Sequence, residues 1–345
     1  MSYGRHIDLN FIQSIAVNQS RNPLTSIEII MKIALIFPGQ GSQYTGMGKS
    51  LFDAFPEAAV IFRTADKCLG FSVSDLCFYG TEAELADTLN AQLCVFVTSM
   101  AALNVLNCSF EGKIRPVAVA GHSLGEYSAL VAAGVLDFAD ALRLIKARGK
   151  AMREAGLRNP GGMLAVLCIE TREVIRICDQ LKKATGGIIE IANDNCFGQI
   201  VVAGSITVLD AFIDVCQQKN YTPPKLLKLS VAPHTSLMKE ALPMFLSALH
   251  ETHLKDPLIP IIGNVSATWL RSESEVREEL KKQLVSTVKW RESMIRLINE
   301  EVNCMIEVGP QKVLTGLMKI IDRKVKRFNF GNDETELEKL KTFIK

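Results

Sequence analysis

The sequence predicts an α/β fold: a large α/β-hydrolase-like domain built on a parallel sheet, with a small ferredoxin-like domain inserted into it. Three observations carry this expectation. Short apolar runs at 32–37 and 116–120 each end at a glycine turn, as buried parallel strands do. A Gly-X-Ser-X-Gly motif at 121–125 stands between the second run and an Ala-rich helical stretch. From about 158 to 229 the elements read strand–helix–strand–strand–helix–strand, the ferredoxin-like order.

Taken in chain order, the run at 32–37 is the first buried strand, and Pro38-Gly39 turns the chain out of it. Residues 46–70 read as helical in part, and 91–107 as one long apolar helix. The strand at 116–120 enters Gly121-His122-Ser123-Leu124-Gly125, and the run 126–133 continues as a helix. A further helix starts near Asp137, the expected N-cap, with Asp140 in its first turn. The inserted unit has strands at 163–169, 188–192, 199–203 and 226–231, with helices at 171–184 and 207–219. The large domain resumes at Pro233, with strands near 259–262 and 305–308. The expected boundaries are therefore 32–157 and 230–325 for the large domain and 158–229 for the small one. Residues 1–31 read as a leader outside the fold, with Met31 a candidate start, and 326–345 as a C-terminal tail.

Composition narrows the class of function. The net charge of +2 argues against a nucleic-acid binder, which needs a strongly basic face. Nine scattered cysteines with no zinc-like spacing point to reduced thiols in a cytoplasmic protein without a metal site. No run reaches the ~20 apolar residues that span a bilayer, so no membrane partner is expected. The start of the chain lacks the basic-then-apolar pattern of a signal peptide.

The strand–turn–helix setting of Ser123 is that of a nucleophile elbow. A tight turn lifts the hydroxyl off the sheet and aims a helix N-terminus at it. The backbone N–H of Leu124 then points to where a tetrahedral oxyanion forms. A second donor is expected from the glycine-rich segment 37–43, near Gln40. Such a serine needs a proton acceptor. Of five histidines, His6 lies in the leader, His122 projects away from its neighbour at a sharp turn, and His250 and His253 sit on a polar helix segment. His234, in a loop after Pro233, is the base by elimination. Between serine and histidine there is no obvious acid of the kind an α/β-hydrolase order requires, and there is no HGGG-like loop. Arg148 shares a helical stripe with Ala141, Ile145 and Met152, an inward position where a cation needs a partner.

FPGQGSQ at 37–43, GHSLGEYSAL at 121–130, RGK at 148–150 and EVGPQKVLTGL at 307–317 together resemble malonyl-CoA:acyl-carrier-protein transacylases, a family that includes the acyltransferases of polyketide synthases. The resemblance runs from about 32 to 325. It implies that Ser123 is acylated, that His234 is the base, and that the amides of Gln40 and Leu124 form the oxyanion hole. It implies that the main-chain carbonyl of Gln283 orients His234, which accounts for the missing acid. Arg148 is implied to pair with the free carboxylate of a malonyl group, and Asn193 and Asn195 to lie near the cleft. Two segments depart from the family pattern: Phe197-Gly198-Gln199, where many relatives have Pro before the Gln, and the tetrad Val231-Ala232-Pro233-His234, which varies with the extender unit in polyketide acyltransferases.

The implied reaction is ping-pong transfer of malonyl from malonyl-CoA to the phosphopantetheine thiol of an acyl carrier protein. It needs no cofactor beyond the coenzyme A thioester that is its substrate, and the enzyme is expected to act as a monomer. A thioester hydrolase of the same fold and a non-catalytic binding protein are the alternatives. The basic residues Lys319, Arg323, Lys324, Lys326 and Arg327, with Lys281 and Lys282, are candidates to dock an acidic carrier.

Overall fold

A computed structural model describes residues 31–229 and 231–344. Of the expected leader, all but Met31 lies outside the described residues. Ten strands follow one another among those described: β1 (Ile33–Phe37), β2 (Ala118–Gly121), β3 (Gly161–Leu167), β4 (Ile189–Cys196), β5 (Gln199–Ser205), β6 (Lys225–Leu226), β7 (Ile261–Ile262), β8 (Trp269–Leu270), β9 (Cys304–Val308) and β10 (Lys326–Phe330). They form two sheets, a six-stranded one in the order β10-β9-β1-β2-β7-β8 and a four-stranded one in the order β4-β5-β3-β6.

The larger sheet is parallel from β10 to β7, with β8 added antiparallel at one edge. Its central strands are apolar on both faces because both are covered. Ile33, Leu35 and Phe37 enter one core, while Ala34 and Ile36 enter the core on the opposite face. All parallel strands point their C-terminal ends the same way, so Phe37, Gly121 and Val308 finish along one edge. Ligands of open α/β sheets bind at that edge.

Helix Thr88–Ser109 is long because Asp87 caps it, accepting from the amides of Leu89 and Asn90. It has 22 residues, and an 18-residue window within it, with mean hydropathy 1.6, is by length and composition enough to cross a membrane, which corrects the sequence expectation. Its apolar window is 83% buried within the chain, as in a core helix. Helix Phe138–Arg158 begins after Asp137 as expected, but Asp137 makes no side-chain cap; its carboxylate instead accepts from Lys255 Nζ at 3.2 Å.

The smaller sheet is antiparallel throughout, and its order is the ferredoxin-like one. Leu164, Val166, Ile200 and Val202 face helices Thr171–Thr185 and Ile206–Gln218, while Met163, Val201 and Ala203 face the other way, with Ala232. The last strand is shorter than expected: only Lys225–Leu226 pairs with β3. Leu227 still donates its N–H to Met163 O at 3.0 Å, and Leu227 and Leu229 pack on the Met163 face. The β4 backbone reaches the large unit directly. Asn193 bridges to Val288, Asp194 N donates to Val288 O at 2.9 Å, and Arg291 pairs with Asp194 at 2.6 Å.

Residues 326–344 are not a tail. β10 pairs with β9 over its whole length, and Leu337 and Leu340 of helix Glu334–Ile344 are buried in the main core. The Lys- and Arg-rich start of β10 hides this in sequence, since an edge strand tolerates charge where a central one does not. The basic run lies toward the other end of the strands. Lys326 pairs with Cys304 at the N-terminal end of the sheet, roughly 13 Å along the strand from the edge where Phe37 and Gly121 end. Arg327 donates to the carbonyls of Asp322, Arg323 and Val325, and Lys281 pairs with Glu278.

Candidate active site

Ser123 sits where β2 turns into helix Gly125–Ala132, with φ of +52°, in the left-handed region that costs a side-chain-bearing residue energy. The flanking glycines make the turn possible. A Cβ on Gly121 would meet Gly125 backbone at 2.0 Å, and one on Gly125 would meet the Phe37 carbonyl at 2.0 Å. The motif therefore packs the elbow against the end of β1. Gly39 belongs to the same fit, since a Cβ there would meet the His122 carbonyl at 2.3 Å. The Gln40 loop and the Leu124 amide are thus brought side by side.

Ser123 Oγ and His234 Nε2 are 2.7 Å apart. His234 also has positive φ, at +65°. Its Nδ1 lies 2.8 Å from the main-chain oxygen of Gln283, and its own amide donates to Leu284 O at 2.8 Å. A carbonyl oxygen only accepts, so Nδ1 carries the proton and Nε2 is left as the acceptor facing the hydroxyl. Burial first, and the Arg148 cation second, hold the His234 pKa down at about 3, so the imidazole is neutral. His250 and His253 are exposed.

Arg148 is fully buried in helix Phe138–Arg158. Its guanidinium donates to Gln92 Oε1, to Ser123 Oγ at 3.2 Å and to Gln283 Oε1 at 3.1 Å. It stands over the Tyr127 ring, 5.5 Å from the centroid. Nε has no partner, and no carboxylate among the described residues lies within ion-pair distance. A buried cation held only by neutral groups beside a nucleophile is suited to receive an anion.

The asparagines divide. Asn195 Oδ1 pairs with His122 Nε2 at 2.8 Å, so the small sheet touches the residue next to Ser123. Asn193 is buried at the bridge to Val288, and its side chain makes no hydrogen bond to Ser123, His234 or Arg148. The Gln40 side chain accepts from Thr88 Oγ1 at 3.1 Å, which fixes its loop.

Three residues that sequence reasoning did not single out complete the site. Asn264 Oδ1 accepts from Ser123 N at 2.7 Å while its Nδ2 donates to Gly121 O at 2.7 Å. Gln92 is a fully buried polar side chain in an apolar helix, and it holds Arg148. Glu126 is fully buried; burial, then Glu279, push its carboxyl well above the usual range, against hydrogen bonds from Gln283 and Asn264. Buried polar residues in apolar stretches were the available signal for Gln92 and Glu126. No group of three or more His, Cys, Asp and Glu side chains able to hold a metal occurs among the described residues.

Known proteins resemble this chain over most of its length. The profile of the acyl transferase domain family matches residues 34–329. A malonyl CoA-acyl carrier protein transacylase of Bacillus subtilis (strain 168) is 39% identical over 304 residues, spanning 88% of this chain and 95% of that one. Its counterpart in Haemophilus influenzae is 36% identical, over 84% of this chain and 92% of its own length. Among solved structures, the malonyl CoA-acyl carrier protein transacylase of Coxiella burnetii superposes with a TM-score of 0.86 at 30% identity, covering 91% of this chain and 98% of that one. A malonyl-transacylase in complex with a type II PKS acyl-carrier protein superposes with a TM-score of 0.83 at 34% identity, covering 89% and 98%.

Proposed function

This chain belongs to the acyl transferase domain family, and on that premise we propose that it carries a malonyl group from malonyl-CoA to the phosphopantetheine thiol of an acyl carrier protein, in fatty-acid or polyketide synthesis. The observation that carries the reading is the meeting of three groups: a serine hydroxyl on a neutral imidazole, and a buried guanidinium 3.2 Å from the same oxygen with no carboxylate of its own.

In the first half-reaction, His234 Nε2 takes the Ser123 proton as Oγ attacks the thioester carbonyl. The amides of Gln40 and Leu124 receive the oxyanion. As the tetrahedral species collapses, the C–S bond breaks and His234 protonates the departing coenzyme A thiolate. Arg148 meanwhile grips the free carboxylate of the malonyl group through its planar fork. In the second half-reaction the carrier's thiol gives its proton to His234 and attacks the Ser123 ester, and the proton returns to Ser123 Oγ. Gln283 holds Nδ1 of His234 through its carbonyl, in place of a carboxylate. Asn195 acts through His122, and Asn193 ties the small sheet to Val288 of the large unit.

The reading includes a monomer in the cytoplasm that needs no cofactor besides its thioester substrate; nine unpaired cysteines support a reducing compartment. Intact-mass analysis after incubation with malonyl-CoA tests the reaction. A single malonyl ester that persists in buffer and disappears on adding phosphopantetheinylated carrier is the expected result. Rapid loss of the ester to water without carrier would make the chain a hydrolase.

A further inference from the structure

We propose that Glu126 is the positioning residue that holds both sides of the strained Ser123 turn and fixes the orientation of the Gln283 side chain on which Arg148 depends. This rests on the functional reading above and deepens it. Glu126 lies three residues beyond the nucleophile, in the first turn of the elbow helix, and is fully buried. Its two carboxylate oxygens serve two different arms. Oε1 accepts from the backbone N–H of Asn264 at 3.0 Å. Oε2 accepts from Nε2 of Gln283.

Each arm ends on Ser123. Asn264, held through its backbone, uses its side chain to take the Ser123 N–H at 2.7 Å and to give to Gly121 O at 2.7 Å. Gln283 Nε2 also donates to the Ser123 carbonyl at 3.0 Å. The amide and the carbonyl of Ser123 are therefore both held by side chains that Glu126 anchors. This matters because φ of +52° is not a conformation serine adopts unaided. Holding both peptide groups keeps the hydroxyl aimed at His234.

The second consequence concerns specificity. A glutamine amide can sit either way round, and only its surroundings choose. With Oε1 of Glu126 taken by the Asn264 N–H, Oε2 accepts from Gln283 Nε2 beside the Ser123 carbonyl, and the two acceptors together select the orientation with Nε2 toward them. Oε1 of Gln283 is then left facing Arg148 Nη2 at 3.1 Å. The reversed amide would set an NH2 against the guanidinium and leave the Ser123 carbonyl with the backbone N–H of Glu126 alone, at 3.1 Å. The anion receptor and the nucleophile are coupled through one side-chain orientation.

Glu126→Gln keeps size and shape but brings an NH2 that must oppose either Asn264 N or Gln283 Nε2. Three measurements on the purified variant and parent decide the proposal: Tm, the rate of phosphonylation of Ser123 by a fluorophosphonate, and the ratio of malonyl to acetyl ester formed on Ser123 in competition. The expected result is a folded Glu126→Gln protein whose phosphonylation slows at least ~10-fold and whose malonyl-to-acetyl ratio falls at least ~5-fold, the range for a buried hydrogen-bonding group left without its partner. An unchanged rate and ratio in a folded variant overturn it. So does a fall in both esters by one factor that merely follows a loss of Tm. Should Glu126→Gln not fold, Gln283→Met, which removes the arm and leaves Glu126 in place, must show the same loss of ratio; a parental ratio there overturns the proposal. A parent that takes the phosphonate but no malonyl overturns the substrate reading instead, and the phosphonylation rates still decide the role of Glu126.

Discussion

Arg148 Nη2 lies 3.2 Å from Ser123 Oγ, so the guanidinium expected to bind the far end of the acyl group already touches the nucleophile. The two sit 25 residues apart, on the elbow and on the following long helix. One cation at this distance has two effects. It offers a docking point for a carboxylate next to the ester that will form, and it discourages a proton on His234, since like charges repel. Substrate selection and the state of the base are thereby linked.

Ser123→Ala removes the nucleophile without disturbing the packing around Gly121 and Gly125. The variant is expected to keep the parental Tm within a few degrees and to show no mass increase with malonyl-CoA. A malonyl adduct on that variant would place the ester elsewhere in the chain.

His234 governs the pH dependence. Its pKa is held at about 3, below the ordinary value of 6.5, so the neutral form that can accept a proton persists into acid. The acid limb of kcat/KM should therefore fall below pH 6.5. A malonyl carboxylate on Arg148 offsets the cation, so the limb of kcat should lie at higher pH than that of kcat/KM. Stability follows the same shift. The unfolded chain takes up a proton near pH 6.5 that the folded one refuses, so this group's contribution is present above 6.5 and lost as pH falls toward 3. The slope for one such proton is about 1.4 kcal/mol per pH unit. His234→Gln should lose stability less steeply than the parent across that window, as read by urea titrations at several pH values, and its acylation should slow at least ~100-fold.

The basic run at the C-terminal end makes a negative prediction. Arg323 and Lys324 are exposed, but they precede β10 at the sheet edge away from Ser123. Replacing both with alanine should leave carrier-dependent discharge of the malonyl ester within about twofold of the parent, because exposed charges beyond a Debye length of ~10 Å are screened. A tenfold loss in single-turnover transfer would return these residues to the docking surface.

How far the sequence carried the structure differs by residue. The Ser123 turn was legible because its pattern is local: a strand, a glycine-flanked turn and a helix follow one another within a few positions. His234 and Arg148 needed elimination and helical phase, and both meet Ser123 in space. Asn264 was illegible, because it reaches Ser123 across 141 residues from a loop after a two-residue strand, with no local pattern to mark it. Glu126 stood inside a recognised motif and was read only as part of the helix. Its role depends on Gln283, which tertiary folding alone brings near. The last strand and helix were missed for a different reason: the charged edge strand at 326–330 lacks the apolar run that betrays a central one.

The sharpest test returns to Arg148. Its guanidinium is shared among Gln92, Gln283 and Ser123 Oγ, all neutral acceptors. A malonyl carboxylate would replace the contact to Ser123 with a charge-assisted pair, worth ~1.5–3 kcal/mol or roughly ten- to a hundredfold in affinity. An acetyl group offers no such partner, and the guanidinium then stays on the serine oxygen, to which it donates. Arg148→Ala should therefore penalise malonyl-CoA and spare acetyl-CoA, lowering the malonyl-to-acetyl ratio of kcat/KM by at least ~10-fold. Arg148→Lys should restore only part of that ratio, because an ammonium cannot span Gln92, Gln283 and a carboxylate in one plane. Competition between the two thioesters, read as acyl mass on Ser123, gives the ratio directly. If both esters decline by the same factor, Arg148 supports the turn and does not choose the substrate, and a dicarboxylic acyl group loses its recognition element.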